Sequence, residues 1–217
     1  MKDPLEITER TRLRRKKDRG HYDLATITGI LDAMPMCHIG YQQQGAPVVM
    51  PNIQWHDGAR VYWHASSGGH GVKSWREGPV CLTVSLLDGL VLARTGLNHS
   101  CNFRSVMIFG QPLEITDPDE KAAKLNHLID TLYPGRSGEL RPMSDSDIKQ
   151  TAVFALPIEE ASAKVRQTGV ADEEADYQQP VWCGVIPVET RLLSPQADDR
   201  NLDGVEMPAY LNSMNIG

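Results

Sequence analysis

Residues 46–65 read APVVMPNIQWHDGARVYWHA, and they carry the clearest structural signal in the chain. Residues 46–55 form a run rich in valine and isoleucine. They are followed by His56-Asp57-Gly58 and then by a second apolar run at residues 60–65. Asp-Gly between two such runs is a strong hairpin signal, because few other residue pairs accept the positive φ angles of a tight turn. The stretch therefore predicts two antiparallel strands joined by a short turn.

Further strands are predicted on both sides of this hairpin. Residues 36–41 form a short apolar run, so residues 36–65 are typical of a three-stranded meander. A second hairpin is predicted at Asp88-Gly89, between runs at residues 80–87 and 90–95. The remaining strand candidates are residues 103–116 (with a bulge or edge at Gly110 and Pro112), 153–158, 161–168 and 181–191. About eight short strands, mostly joined by hairpins, favour an antiparallel barrel.

Two helices have recognisable start signals. Asp23 is a candidate N-cap for a first helix that Pro35 ends. Asp117 is a candidate N-cap for a second helix, with Pro118 at its first position. A short helical piece is predicted around residues 71–77, and residues 134–147 are predicted to form a polar loop.

The composition is that of an ordinary globular protein. The 217 residues are 41% hydrophobic and 23% charged, which excludes a wholly disordered or fibrous chain. Four cysteines lie far apart without a CxxC pair, as expected for reduced thiols. No apolar run reaches the roughly 18 residues that span a membrane, and the N-terminus lacks the apolar region of a secretory signal. We therefore expect a cytoplasmic protein that does not contact a membrane.

Charge is distributed unevenly along the chain. Residues 10–19 hold seven basic side chains and one acidic one, which leaves 15 basic and 27 acidic residues elsewhere. We therefore expect a basic N-terminal arm (1–22), one domain (23–195) and a polar C-terminal tail (196–217). A basic arm is one signature of nucleic-acid binding. The acidic body repels phosphates and favours instead an arm that lies against the protein's own surface or a second subunit, so no nucleic-acid partner is expected.

The segment RVYWHASSGGHGVKSWRE, residues 60–77, carries most of the chemistry-bearing residues. Backbone N–H groups at a helix start, serine hydroxyls and Lys73 are suited to binding a phosphate group. A plain glycine turn beside a surface lysine is an equal alternative. A nucleoside-triphosphate P-loop is disfavoured because Val72 separates Gly71 from Lys73, and no GxGxxG follows a strand. Ser67 lacks the GxSxG context of a hydrolase nucleophile.

Seven histidines raise the possibility of a metal site. The three nearest this segment are His56, His64 and His70, and no pair of histidines has HxxxH or HExxH spacing. We therefore expect no metal site.

Five segments in this order resemble the pyridoxamine 5′-phosphate oxidase-like flavoproteins, in particular their flavin-nucleotide-binding, nitroimidazole-resistance-type branch. The resemblance covers about residues 10–195. It implies a mainly β, antiparallel Greek-key split β-barrel with peripheral helices, which as a homodimer binds FMN in a cleft between its subunits. The segments are PVVMPNIQWHDGARVYWHA (47–65), GGHGVKSW (68–75), DGLVLAR (88–94), NHSCNFRSVMIFG (98–110) and PVWCGVIPV (180–188).

The resemblance also implies a set of cofactor-binding residues. Those beside the flavin ring are Met50, Pro51, Asn52 and Ile53. Those near the ribityl chain are His64, Ala65 and Ser66, and those at the phosphate are Val72 and Lys73. Those approaching the cofactor, with the second subunit as a possible source, are Ser100, Asn102, Arg104 and Ser105. The residue that closes the flavin edge is Trp182. The chain departs from the family's pattern at two positions: it has Val72 where many relatives have arginine, and Phe103 where tyrosine is usual.

The resemblance implies an FMN-dependent oxidoreductase that acts on a small molecule, with NAD(P)H as a candidate electron donor. No pair of arginines marks a site for pyridoxal phosphate, so true pyridoxamine phosphate oxidase activity is not expected. Two alternatives remain open: a non-catalytic flavin carrier or sensor, and a haem-binding split barrel with His64 or His70 as axial ligand. The sequence assigns no catalytic residue.

Overall fold

The structure is a computed structural model that describes residues 4–217. These residues form ten strands and four α-helices. The strands are β1 Gly20–His21, β2 Met36–Gln43, β3 Ala46–His56, β4 Arg60–Ser66, β5 Val80–Leu92, β6 Ser100–Gly110, β7 Leu113–Ile115, β8 Thr151–Pro157, β9 Glu160–Arg166 and β10 Gly184–Pro187. The helices are α1 Leu24–Ala33, α2 Val72–Glu77, α3 Pro118–Leu132 and α4 Asp145–Gln150.

The strands form one antiparallel sheet that curls into a split β-barrel, as predicted. Its order is β1-β9-β6-β5-β2-β3-β4-β8-β7, and β10 pairs with β5 outside this path. The meander of β2, β3 and β4 is confirmed by the register, which places Met36 opposite Ile53 and Trp55 opposite Tyr62. Its turn contains Gly58 at φ +84°, and the N–H of Asp57 donates to the carbonyl of Arg60 at 3.1 Å.

The predicted hairpin at Asp88-Gly89 is wrong. β5 continues through both residues as a 13-residue strand, and its register with β6 shifts between Leu87 and Gly89, which marks a bulge. The chain turns back only at residues 93–99. Asp88 is fixed in the sheet by Arg104 of β6, whose Nη2 lies 2.8 Å from its Oδ1. Asp88 therefore forms an ion pair between β5 and β6 and does not form a local turn.

Two other predictions need correction. The single long strand predicted at residues 103–116 is two strands, because the chain leaves β6 at Gly110 (φ +157°) and reaches β8 as β7. The loop predicted at residues 134–147 contains the start of α4. There the Oγ of Ser144 accepts the N–H of Asp147, and the carboxylate of Asp147 accepts the N–H of Ser144. This reciprocal pair is a capping box.

Two apolar clusters lie on opposite faces of the sheet. The larger fills the barrel, where Ile27, Ile30 and Leu31 of α1 pack against the inward-facing side chains. α1 begins as predicted, with Asp23 accepting the Thr26 N–H at 2.8 Å. The smaller cluster lies between α3 and the outward side chains of β3, β4 and β8, including Trp55 and Tyr62. Helix α3 therefore covers one end of the outer face of the sheet.

The N-terminal arm lies against the barrel. Thr8 and Arg10 both bond the carboxylate of Glu160, and Arg10 also lies over the ring of Phe109. The arm ends in β1, which pairs with β9. This agrees with the interpretation that the arm contacts the protein's own surface.

Candidate functional site

A fork between β3 and β4 provides the candidate site. β3 pairs with β2 along residues 46–53, but its other edge pairs with β4 only through residues 54–56. Residues 64–66 of β4 pair with β8 on their far edge. In the described chain, the edges of residues 46–53 and 64–66 that face each other therefore have no strand partner. Such edges can offer backbone N–H and C=O groups to a ligand, although Pro47 and Pro51 have no N–H to donate.

Asn52 spans the closed end of this fork. Its Nδ2 donates to the carbonyl of His64 at 2.9 Å, and its Oδ1 accepts the N–H of Ile53 at 2.7 Å. The side chain thus bridges the point where the strands diverge. The structure brings together seven of the predicted residues here: Met50, Pro51, Asn52, Ile53, His64, Ala65 and Ser66.

His64 is the titratable side chain of the fork. Its ring centroid lies 6.2 Å from that of Trp55, and its Nδ1 is buried without a hydrogen-bond partner among the described residues. Burial lowers the pKa of His64 below its ordinary value, because a charged imidazolium loses hydration there. His64 is therefore a neutral imidazole at neutral pH.

The loop after β4 turns tightly into α2. The N–H of Gly69 donates to Ser66 and the N–H of Val72 donates to Gly69, at 2.7 and 3.2 Å. Gly71 must be glycine, because a Cβ there would lie 2.7 Å from the Trp75 ring. The side chain of Val72 is buried in the core, and its N–H is bonded within the loop.

Lys73 follows Val72 and points away from the core. Its side chain is 82% exposed, and its Nζ lies 3.9 Å from Glu77 one turn later. An exposed pair of this kind contributes little stability, so the ammonium can leave it at small cost. Of the two residues predicted at the phosphate, Lys73 is the one whose side chain is exposed and free to bind a ligand.

The other five predicted residues lie elsewhere on the sheet. Asn102 is buried, and its Oδ1 accepts from Arg166 Nη1 at 2.6 Å and from the N–H of Thr168 at 3.2 Å. Nε and Nη2 of Arg104 donate hydrogen bonds to the carboxylate of Asp88, and these bonds raise the pKa of Arg104. Asn102 and Arg104 thus already have protein partners.

The last three predicted residues also lie on this side of the barrel. Ser100 begins β6, Ser105 donates to the carbonyl of Lys164 at 3.4 Å, and Trp182 precedes β10 with 70% of its surface exposed. Three strands, β5, β2 and β3, separate β6 from β4. Within residues 4–217, no hydrogen bond or ion pair joins the predicted residues of this group to those of the fork.

Residues 4–217 contain neither a membrane-spanning helix nor a metal-binding cluster. None of the described helices has the length and apolar character needed to cross a bilayer. Across the same residues, no cluster of three or more histidine, cysteine, aspartate or glutamate side chains could hold a metal ion.

The curled antiparallel sheet and the fork between β3 and β4 are those of a split β-barrel protein. Within that class, the chain belongs to the pyridoxamine 5′-phosphate oxidase family, whose model matches residues 23–165. The predicted family is thereby confirmed. No curated protein sequence matches the chain.

Many solved structures are similar to this one, and three of them illustrate the range. The flavocytochrome Anf3 from Azotobacter vinelandii is 45% identical, with a TM-score of 0.94 over 97% of this chain and 98% of its own. The FAD and heme binding protein from Mycobacterium smegmatis is 28% identical, with a TM-score of 0.86 over 91% and 97%. A protein assigned to 5-nitroimidazole antibiotic resistance from Bacteroides thetaiotaomicron shares the fold at 23% identity, with a TM-score of 0.58 over 67% and 86%.

Proposed function

We propose that this chain is a flavin-binding redox protein whose flavin ring lies in the β3–β4 fork. The observation that carries the proposal is the pair of unpaired strand edges, residues 46–53 and 64–66. A flavin ring has a polar edge of alternating donors and acceptors, which such backbone edges can satisfy. The similarity to a flavocytochrome and to an FAD and heme binding protein supports the same cofactor class.

When bound, the flavin supplies hydride or electron transfer, and the protein binds and orients it. Backbone groups of residues 50–53 would meet the edge of the ring, with only the carbonyl available at Pro51 and the N–H of Ile53 already donated to Asn52 Oδ1. His64 is neutral and its Nδ1 has no partner within residues 4–217, so it can accept or donate a hydrogen bond there without adding charge. Lys73 would bind the phosphate. These contacts use the isoalloxazine and the ribityl phosphate, which FMN and FAD share; FMN is the nucleotide we expect.

Absorbance of the purified protein tests this proposal. Flavin bands are expected, and chromatography of the released cofactor against FMN and FAD standards identifies the nucleotide. Reduction of the bound flavin by NADH or NADPH then separates an oxidoreductase that uses these donors from a flavin carrier or sensor. Protein that is colourless, and that binds neither FMN nor FAD on titration, would contradict the proposal.

Lys73→Ala tests the placement of the phosphate. Loss of a charge-assisted hydrogen bond costs about 1.5–3 kcal/mol, so FMN should bind roughly ten- to a hundredfold more weakly. Riboflavin lacks the phosphate and should bind both proteins equally. Lys17→Ala, in the arm, is the matched charge control and should leave FMN affinity unchanged. Wild-type FMN affinity in Lys73→Ala would place the phosphate elsewhere.

Trp182→Ala is the companion variant. If Trp182 covers the ring, as the resemblance implies, the variant should bind riboflavin and FMN more weakly by the same factor.

We also propose that the protein is a homodimer through the outer face of β9, β6, β5, β2 and β3. Register places six exposed apolar side chains on this face: Met36, Val49, Ile53, Leu87, Leu90 and Met107. No helix of the described chain covers them. A second copy would bury this face and would bring the residues of β6 towards the fork of the partner subunit. The dimer would thereby unite the predicted residues of the fork with those of β6.

Met107→Asp tests this interface against Leu113→Asp, a matched change at an exposed leucine on the far strand β7. Sedimentation equilibrium should give a dimer for the wild type and for Leu113→Asp. It should give a monomer for Met107→Asp, and this variant should contain less bound flavin. A wild type that is monomeric while flavin is bound would contradict the dimer.

Haem is a second candidate cofactor, favoured by the two flavin-and-haem relatives and by the unpartnered, neutral His64. His70 is the other candidate ligand; it is exposed, and its Nδ1 lies 3.2 Å from Gln43 Nε2. A Soret band in the purified protein supports haem. His64→Ala and His70→Ala identify the ligand, because only the variant that lacks it should lose the band.

A further inference from the structure

Trp55 and Tyr62 form an aromatic pair beside the fork, on the face of the sheet that α3 covers. They lie directly opposite each other in register, so both side chains are on the same face. Their ring centroids are 5.7 Å apart at an interplanar angle of 21°, which is a stacked arrangement. His64 follows Tyr62 by two residues on β4 and shares this face, and its ring centroid lies 6.2 Å from that of Trp55. A continuous row of rings therefore leads from the fork to Tyr62.

The two rings of the pair differ in their hydrogen bonds. Nε1 of Trp55 is buried and has no partner within residues 4–217. The hydroxyl of Tyr62 donates to Oδ2 of Asp57, whose side chain is 32% exposed in the turn between β3 and β4. An indole nitrogen is only a donor, so an oxidised Trp55 has no neighbouring group to which it could release its proton. Tyr62 has such a group.

Lys124 favours the release of a proton from Tyr62. Its Nζ lies 4.4 Å from the centroid of the Tyr62 ring and 3.3 Å from Oδ2 of Asp57. The ammonium repels positive charge on the ring, so Tyr62 loses an electron most easily when its proton leaves at the same time. Burial alone would raise the pKa of Asp57, but its hydrogen bonds lower it, so Asp57 is a carboxylate at neutral pH. Because an oxidised phenol is a much stronger acid than a carboxylic acid, Asp57 can take its proton.

A second tyrosine–tryptophan pair offers a comparison within the same molecule. Tyr41 and Trp75 lie in the barrel core with their ring centroids 5.8 Å apart. The hydroxyl of Tyr41 is buried and has no hydrogen-bond partner in the described chain. The two pairs therefore have nearly the same separation, and only the pair beside the fork ends at a proton acceptor.

We propose that Trp55 and Tyr62 form a redox relay that carries an oxidising equivalent from the fork to Asp57 near the surface. The proposal rests on the proposed function, because the oxidant is the bound flavin when light excites it. Trp55 gives one electron to the excited flavin, and Tyr62 replaces that electron. The phenol proton of Tyr62 moves to Asp57 at the same time, which leaves a neutral radical on Tyr62 and one more electron on the flavin. Return of the electron and the proton restores every group, so the relay dissipates the excitation without consuming a reactant.

Laser excitation of the flavin-containing protein, followed by transient absorption, tests the proposal. The wild type should show a tyrosyl radical. Tyr62→Phe keeps the ring and removes the hydroxyl, so the tyrosyl signal should be lost and an indole radical should persist instead. Tyr41→Phe is the matched control, because it removes the hydroxyl of the other pair, and it should leave the tyrosyl signal unchanged.

Two further variants test the other members of the relay. Trp55→Phe keeps an aromatic ring that is much harder to oxidise, so the tyrosyl signal should be lost and the flavin should fluoresce more brightly. Asp57→Asn keeps the shape of the side chain but cannot take the proton, so the tyrosyl signal should be lost while the indole radical still forms. Each signal is divided by the flavin content, read from absorbance, so that a loss of cofactor is not mistaken for a loss of the relay.

The outcomes separate this inference from the proposed function. Flavin-containing protein that gives no tyrosyl radical, or the same radical in Tyr62→Phe, overturns the relay and leaves the flavin site standing. Protein that binds neither FMN nor FAD contradicts the proposed function instead, and azide radicals, which oxidise tryptophan, then replace the flavin as the oxidant. A tyrosyl radical that is lost in Tyr62→Phe and kept in Tyr41→Phe would still support the relay in that protein, and its absence from the wild type or its persistence in Tyr62→Phe would overturn it.

Discussion

Two Asp-Gly dipeptides lie between runs of strand-forming residues in this chain, and they adopt different structures. Asp57-Gly58 makes the tight turn between β3 and β4. Asp88-Gly89 lies inside β5, where it forms a bulge opposite β6. The chain composition around the two is similar, so the difference comes from what each dipeptide contacts.

Local bonds hold the first dipeptide and long-range bonds hold the second. Oδ1 of Asp57 accepts the N–H groups of Ala59 and Arg60, at 3.1 and 2.9 Å, and Gly58 supplies the positive φ. Asp88 bonds Arg104 across the sheet, and a Cβ at Gly89 would lie 3.1 Å from the carbonyl of Ile186 in β10. Gly58 is needed for its backbone angle, and Gly89 for its small size.

The largest effect is expected from Asp57→Ala. Its carboxylate also accepts from the hydroxyl of Tyr62, and Lys124 Nζ lies 3.3 Å away, so one substitution breaks several charge-assisted bonds. We expect a loss of about 2–4 kcal/mol in the free energy of unfolding, measured with urea. Asp88→Ala should cost less, because one partner is lost. An equal loss at both positions would contradict the distinction between the two dipeptides.

Stability should also depend on the ionisation of Asp57. Burial alone would raise the pKa of Asp57, but bonds from Tyr62, from the N–H groups of Arg60 and Ala59 and from Lys124 lower it below its ordinary value. A carboxyl group with a lower pKa in the folded state stabilises the protein above its unfolded pKa of about 3.9 and loses this effect as pH falls towards the folded value. The wild type should lose stability below about pH 4, and Asp57→Asn should lose less over the same range.

The next effect is expected at Gly89. A valine there would meet the Ile186 carbonyl and a methyl group of Val185, both 3.1 Å from the first added carbon. Overpacking of this kind costs about 1–3 kcal/mol, and here it should detach β10 from β5. Gly96→Val is the control, because a Cβ at Gly96 meets nothing within 4 Å. Slower hydrogen exchange around Leu90 and Val91 in Gly89→Val than in the wild type would contradict the expected detachment.

The sequence predicted the elements whose signals are local. The Asp23 and Asp117 caps and the Asp57-Gly58 turn all depend on residues within four positions of one another, and all three are present. The bulge at Asp88 could not be predicted, because it depends on Arg104 and on β10, which lie 16 and about 100 residues further along the chain.

The candidate site was predictable only in part. Residues 50–53 and 64–66 share a strand pair that the Asp57-Gly58 turn fixes, so the turn signal was enough to bring them together. β3 and β4 diverge beyond Gln54 because β3 pairs with β2 and β4 pairs with β8. No short sequence motif predicts these pairings. The partners of Asn102, which are Arg166 and Thr168, likewise lie too far along the chain to be inferred.

A smaller effect is expected from the Asp88–Arg104 pair, which also tests the role of Arg104. Both side chains are partly exposed, so a double-mutant cycle with Asp88→Asn and Arg104→Gln should give a coupling of about 1 kcal/mol. If Arg104 serves only the bulge, the variant with both changes should keep its flavin. If it contacts the partner's flavin, Arg104→Gln should lower flavin content and Asp88→Asn should not.

The smallest effect is expected from Gly58→Asn. Its φ of +84° is one that asparagine tolerates better than other side chains, and no atom lies within 4 Å of a Cβ placed there. We expect a loss of at most about 0.5–1 kcal/mol, whereas Gly89→Asn should match the larger loss of Gly89→Val, because space is the limiting factor at that position. Gly58→Ala should fall between Gly58→Asn and Gly89→Asn, since alanine lacks the local hydrogen bonds that stabilise asparagine at positive φ. Urea unfolding of the three variants gives this order directly. If Gly58→Asn is as harmful as Gly89→Asn, the turn depends on a contact of Gly58 and not on its backbone angle.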